Sequence, residues 1–434
     1  MNAQCPMPKR LYIAKSALFV IFNFFLVFSF GFSVNADVDI LHEFAGGAGG
    51  GKWSQDSLTL SGDTLYGMTN VGGAADKGVI FSMATNGGGY TNLREFGGGA
   101  GDGARPQGSL TLSGTTLYGM TNVGGAADKG VIFSMATNGG SYTNLREFAG
   151  GAGDGQKPYG SLTLSGDTLY GMANVGGAAN KGVIFSMGTG GGSYTNLREF
   201  AGGAGDGDSP YGSLTLSGNT LYGMTSYGGA ANKGVTFSIG TDGGSYTNLH
   251  EFAGGAGDGE NPRGSLTLSG DTLYGMTYLG GANNKGVTFS IGTDGANYTN
   301  LHEFAGGAGD GENPLLGSLI LSGSTLYGMT GWGGANNKGV TFSMATNGDD
   351  YTNLHEFAGY PGDGQNPYGS LILSGDGNTV YGMTRLGGAN DYGVIFSAAV
   401  PEPSTYALFG IGLFGLIIGW LRKQRRTKLQ PARL

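Results

Sequence analysis

Cysteine is almost missing from this sequence. The single one, Cys5, sits in a leader-like stretch, so the chain beyond it can form no disulfide and offers no thiol for catalysis. Histidine is nearly as scarce, with four in 434 residues, and charged residues make up only 12%. There is no H-E-x-x-H, no G-x-S-x-G and no Cys-His pair, which removes the sequence signatures of zinc proteases, serine hydrolases and thiol enzymes. Between the two ends no segment spaces its apolar residues as a helix would. Glycine is what the chain has instead, 92 residues of it. Without a G-X-Y period this is not collagen-like, and aromatics at 11% are too many for a disordered linker. Glycine mixed with Tyr, Phe, Leu and Thr suits short strands joined by tight turns.

Both ends read as addresses. Lys9, Arg10 and Lys15 precede an apolar run, Ala17 to Phe32, and Val34-Asn35-Ala36 has the small-x-small form of a signal-peptidase site. Residues 1–36 are therefore read as a signal peptide, with an uncleaved anchor as the alternative. At the other end Tyr406 to Leu421 is an uncharged apolar stretch, followed by Arg422, Lys423, Arg425, Arg426 and Lys428, so this tail should stay cytoplasmic. Upstream of it stand Pro401, Glu402 and Pro403. A Pro-Glu-Pro, one short transmembrane segment (406–421) and a basic tail, in that order over residues 399–434, resemble the PEP-CTERM sorting signal. The resemblance implies a Gram-negative bacterium and an exosortase-type processing enzyme that removes the tail. It also implies a protein held first in the inner membrane and then delivered to the cell surface or outside. A plain C-terminal anchor is the alternative.

Taking away leader and tail removes nine basic residues and one acidic one. The remaining part then carries a net charge of −16, against −8 for the whole chain. That balance argues against nucleic acid and anionic lipid as partners.

Internal periodicity decides the fold. "LYGM", or "VYGM" in the last case, recurs with Tyr66, Tyr118, Tyr170, Tyr222, Tyr274, Tyr327 and Tyr381, at spacings of 52, 52, 52, 52, 53 and 54. One unit reads as four strands: a (Ser57 to Ser61), b (Thr64 to Thr69), c (Gly78 to Met83) and d (Tyr90 to Phe96). A lone four-stranded unit cannot bury both faces, whereas stacked units can. The seventh unit has strands a, b and c but meets the Pro-Glu-Pro without a strand d. The missing strand stands at the other end, "DVDILHEF" from Asp37 to Phe44. An open solenoid would leave one stray strand and one bare edge, while a ring uses both. The expected fold is all-β: a seven-bladed β-propeller of four-stranded blades over residues 37–398, its last blade closed by the N-terminal strand. "LYGMTNVGGAADKGVIFSM" followed by "YTNLREF" resembles the GloVer-type tandem repeat of the choice-of-anchor repeat families. The resemblance implies exported proteins, often with a PEP-CTERM tail, and no established activity.

In such a blade the b–c and d–a links share one rim, and these are the long ones. The b–c link opens Asn-Val in blades one to three and then diverges to Ser226-Tyr227, Tyr278-Leu279, Gly331-Trp332 and Arg385-Leu386. Trp53 lies in the d–a link before blade one. Trp53, Tyr227, Tyr278, Trp332 and Arg385 are thus expected to form an arc on one rim, where sugar rings could stack on the aromatic faces. Drift in tolerant loops is the alternative. A recurring "GDG" supplies Asp102, Asp154, Asp206, Asp258, Asp310 and Asp363. These aspartates are candidate calcium ligands, set against a plain Asp-Gly turn in which Asp bonds its own backbone. Lys77 and its repeats are expected to pair with carboxylates of a neighbouring blade. The histidines fill the strand-d slot held elsewhere by Arg94, Arg146 and Arg198, and so read as a solvated face. Near-identical blades place one residue type seven times around a ring, which does not assemble an active site. The expectation is a monomeric, non-catalytic, surface-directed propeller that binds or organises extracellular polysaccharide, with no cofactor beyond calcium. A polysaccharide-acting enzyme or a passive spacer is the alternative.

Overall fold

The computed structural model describes residues 38–400, and every regular element in them is a strand. The leader (1–36) and the tail from residue 401 lie outside the described residues.

Blade one shows the plan. Its strands are Thr59–Ser61, Thr64–Thr69, Val79–Ala84 and Thr91–Glu95, antiparallel in the order a-b-c-d. Strands b and c pair from Thr64 with Ala84 to Thr69 with Val79, which sets Gly67 opposite Phe81. The Gly of "LYGM" is needed there, because a Cβ would overlap the Phe81 ring and Leu58. Strand d slips by one residue between Ile80 and Phe81, and this bulge recurs in later blades.

Seven apolar clusters fill the seams between blades. In one of them Tyr66, Met68, Ile80 and Phe96 of blade one meet Leu117, Val131, Phe133 and Met135 of blade two. The strand-b Tyr and Met are core, as their repetition suggests.

Ring closure follows the expected course. Val38–Glu43 pairs with Val394–Ala399, Val38 facing Ala398 and Glu43 facing Val394, with the same bulge between Ile40 and His42. Phe44, 1% exposed, then enters the seam between blades seven and one beside Phe81, Tyr381 and Met383. Burying such a ring contributes roughly 1.5–3 kcal/mol.

The long links are not free loops. Gly51–Lys52 of the d–a link pairs with Val71–Gly72 of the b–c link, and five later blades repeat this two-stranded ribbon. In blade two it fuses with the blade, so that strand a runs Gly103–Ser113 and strand b Thr116–Gly124. The ribbons confirm that both links rise from one rim.

Candidate functional site

Three sets of side chains organise that rim. The first is a glutamate at the end of strand d. Glu95 accepts N–H bonds from Ala74 in its own b–c link and from Gly49 in the preceding d–a link, both at 2.6 Å. Glu147, Glu199, Glu251, Glu303 and Glu356 repeat the pattern. Each ties two loops across a seam. The N–H donors of Ala74 and Gly49 hold the Glu95 carboxyl below its usual range despite some desolvation. Sequence reasoning passed over these glutamates, although the "EF" that ends all seven d strands was the available signal.

The second set joins strand d to the GDG turn. Arg94 donates to Asp102 Oδ1 at 2.8 Å, and Asp102 also accepts from the backbone N–H of Gly97 and Gly103. The guanidinium lies 3.4 Å from the ring centroid of Tyr142 on the next blade. In blades four and five histidine does this work. His250 and His302 sit 3.0 Å from Asp258 and Asp310 and stack at 3.9 Å on Tyr298 and Tyr351. His355 approaches Asp363 at 3.1 Å. The solvated-face reading of this slot is therefore corrected. The side chains of His250, His302 and His355 are only 19–21% exposed, because the following blade covers them, and that cover cannot be seen within one repeat.

All six GDG aspartates lie in separate turns. Asp154, Asp206, Asp258, Asp310 and Asp363 accept, like Asp102, from a strand-d side chain and from two backbone N–H groups. Among the described residues no three of His, Cys, Asp and Glu gather as a metal centre. The lysines before strand c do meet acids in the following d–a link in three places: Lys181 with Asp208, Lys233 with Glu260 and Lys285 with Glu312.

The third set is the aromatic arc. Tyr278 and Trp332 meet edge to face at 6.5 Å, and Arg385 lies 5.8 Å from the Trp53 ring. Tyr227 is the most open side chain of the arc, 36% exposed, while the other four are half-buried. The structure extends the arc with residues that sequence reasoning missed. Arg263 lies 4.0 Å over Tyr278 and 5.7 Å from Tyr211, and Tyr211 meets Tyr159 at 4.8 Å. Arg385 donates to the Tyr368 hydroxyl at 3.2 Å. Tyr159, Tyr211, Arg263 and Tyr368 share one repeat position, between the Pro of the d–a link and the Gly-Ser that opens strand a. Blades one and two carry Gln55 and Gln107 there. That variation was the signal. Two contact chains result: Trp332–Tyr278–Arg263–Tyr211–Tyr159 and Trp53–Arg385–Tyr368.

Comparison with known proteins places these features. Among solved structures the chain is similar to an oligogalacturonate lyase in complex with manganese. That likeness has a TM-score of 0.54 and 13% identity, over 86% of this chain and 95% of the other. It is also similar to TolB from Acinetobacter baumannii, with a TM-score of 0.38 and 15% identity over 64% of this chain and 59% of the other. At such identities the first likeness speaks for the propeller fold alone. No curated protein matches the sequence. A PEP-CTERM protein-sorting motif matches residues 399–423, which contain Pro401, Glu402 and Pro403. It indicates export and cell-surface sorting in Gram-negative bacteria, with processing by an exosortase-type enzyme. The Gloeobacter/Verrucomicrobia repeat matches residues 26–237 and 225–409, the whole ring and its flanks, and the chain belongs to that family.

Proposed function

We propose that this exported propeller is a non-catalytic, carbohydrate-binding protein of the cell surface or extracellular matrix, which holds exopolysaccharide on its long-loop rim. The observation that carries this reading is the contact chain Trp332–Tyr278–Arg263–Tyr211–Tyr159, which runs over successive blades. Half-buried rings fixed by neighbouring guanidinium groups present apolar faces with little freedom left to lose, and sugar rings stack on such faces. A series of them along one rim suits a polymer better than a single sugar, because each platform adds to the effective concentration at the next. The net charge favours a neutral or weakly charged glycan. We assign the GDG aspartates to turn-holding rather than to calcium, since protein donors already engage both oxygens of each.

The test is binding of the producing cell's own exopolysaccharide to the purified protein, followed by calorimetry. Saturable binding is expected, with affinity falling about tenfold in Trp332→Ala and again in Tyr278→Ala, and unchanged by chelator. A folded protein that binds no polysaccharide would sink this reading in favour of a passive spacer. Shortening of the polymer during the experiment would turn it towards a polysaccharide-acting enzyme.

A further inference from the structure

The inner end of this rim holds one break in the sevenfold pattern. Strand a of six blades opens with Gly-Ser, from Gly108-Ser109 round to Gly369-Ser370. These glycines let the strands crowd round the axis. A Cβ on Gly160, Gly212 or Gly264 would overlap the carbonyl of the glycine in the next blade. Six of the seven serines form a series of bonds around the channel, each donating its backbone N–H to the hydroxyl oxygen of the next blade's serine, as Ser161 does to Ser213 at 2.7 Å, and the step from Ser57 to Ser109 is the one not made. Ser370 passes the ring to Ser57 at 2.6 Å.

In the seventh place stands Asp56, in "QDSL". Blade two accommodates it by turning Gly108 to a φ of 77° and donating the Gly108 N–H to Asp56 Oδ1 at 2.8 Å. The other oxygen, Oδ2, is buried and meets no protein donor. The residue is only 4% exposed, and burial pushes its carboxyl well above the usual range. Asp56 lines an axial cavity of about 60 Å³ with Ser57, Ser109, Ser161 and Tyr159. The residues around this cavity include no Lys, Arg or His. A buried carboxyl with a free oxygen and no protein counter-charge either takes up a proton, the direction in which burial pushes Asp56, or is balanced by a bound cation. The cavity is far below the roughly 300–1,000 Å³ that organic ligands occupy. Its size suits an ion or a few waters, each of which needs about 10–15 Å³ on this measure.

We propose that the channel constriction binds a single monovalent alkali cation, with the Asp56 carboxylate as its charged ligand and serine hydroxyls as neutral ones. All the available donors are oxygens, the hard-cation set. One carboxylate balances one positive charge fully and leaves a divalent ion half compensated. The site would pin the seam between blades one and two, and it does not rest on the polysaccharide reading, although Tyr159 and Tyr211 of that contact chain also line the cavity.

The experiment is thermal unfolding of the full-length protein in detergent, in sodium or potassium chloride against choline chloride at equal ionic strength. Choline screens charge equally but is too large for the cavity. The wild type is expected to melt several degrees higher in the alkali salt. Asp56→Asn keeps the acceptor for Gly108 and removes the charge, so it should melt alike in both salts. Asp56→Gly, which restores the residue of the other six blades, is the second variant should the amide not fold, and the same indifference is expected. Equal melting of the wild type in both salts would overturn the proposal, because the carboxyl is then satisfied by a proton or by water. So would a difference that persists in Asp56→Asn and Asp56→Gly, or a wild-type response to calcium in place of sodium and potassium.

Discussion

Blades one to three and blades four to six build the same seam with different planar donors. Arg94, Arg146 and Arg198 each bond a GDG aspartate and cover a tyrosine of the next blade at 3.4–3.5 Å. His250 and His302 reproduce the bond and the stack with a flat ring of similar reach. The lesson is that the slot selects for shape first, a planar donor between a carboxylate and an aromatic face.

The blade that closes the ring departs from both. His42 stacks on Tyr90 at 3.9 Å, but Gly50 takes the place of the aspartate, so this histidine has no turn carboxylate to bond. Val38 stands in the tyrosine position and Ile40 in that of the asparagine, and both pack on the apolar seam around Phe357 and Phe396.

The largest effect should come from the closing strand itself. Phe44→Ala opens a cavity in the seam that joins the two chain ends, at a cost of about 3–5 kcal/mol by urea unfolding, in the range of buried Phe truncations. Phe148→Ala, the same change inside the continuous chain, should cost no more. Second comes Arg94→Lys, which keeps the charge but loses the flat stack on Tyr142, at about 1–2 kcal/mol in the same measurement. The reciprocal change His250→Arg should be tolerated, since the slot accepts that residue in blades one to three.

The third prediction concerns pH. Burial lowers the pKa of His42, opposed by the nearby Glu43, so the unfolded chain takes up its proton first. Stability from this residue is therefore present above the ordinary histidine range and lost as pH falls through about 6.5. Urea midpoints should drop between pH 7.5 and 5.5, and His42→Asn should flatten that slope. A second loss should follow below pH 4. Burial raises the carboxyls of Asp258, Asp310 and Asp363, but bonds from histidine and backbone N–H outweigh it and hold them low. Their contribution vanishes as pH drops through those depressed values. The smallest effect is at the channel. Thr59, Thr111, Thr163 and Thr215 each donate to a Leu carbonyl of the next blade, while blades six and seven have Ile320 and Ile372 instead. Ile320→Thr should change stability by less than about 1 kcal/mol, since a new hydrogen bond offsets the smaller apolar surface that the shorter side chain buries.

The architecture was legible because it rests on repetition. The spacing of "LYGM" and the stray "DVDILHEF" specify seven blades and their closure without any contact being known. The rim was legible only in part. Trp332 and Tyr278 stood out because they interrupt a repeated Asn-Val, whereas Tyr159 and Arg263 hid beside a proline in a link that reads as mere turn. The histidine slot was misjudged for a physical reason. What buries His250 is Tyr298 of the next blade, and burial between units leaves no trace in the pattern of one unit. Asp56 was visible as a departure from Gly-Ser, but its meaning needs the crowding of strands at the axis.

The closing strand also sets an order of events. Val38–Glu43 is the first strand of the ring in chain order, and its partner Val394–Ala399 is the last. The first blade-forming residues must stay unpaired until more than three hundred others have been made. Completion of the ring therefore reports completion of the chain up to the sorting motif. Because the sorting motif begins at residue 399, the pairing that finishes the fold and the processing that the motif directs act on neighbouring residues.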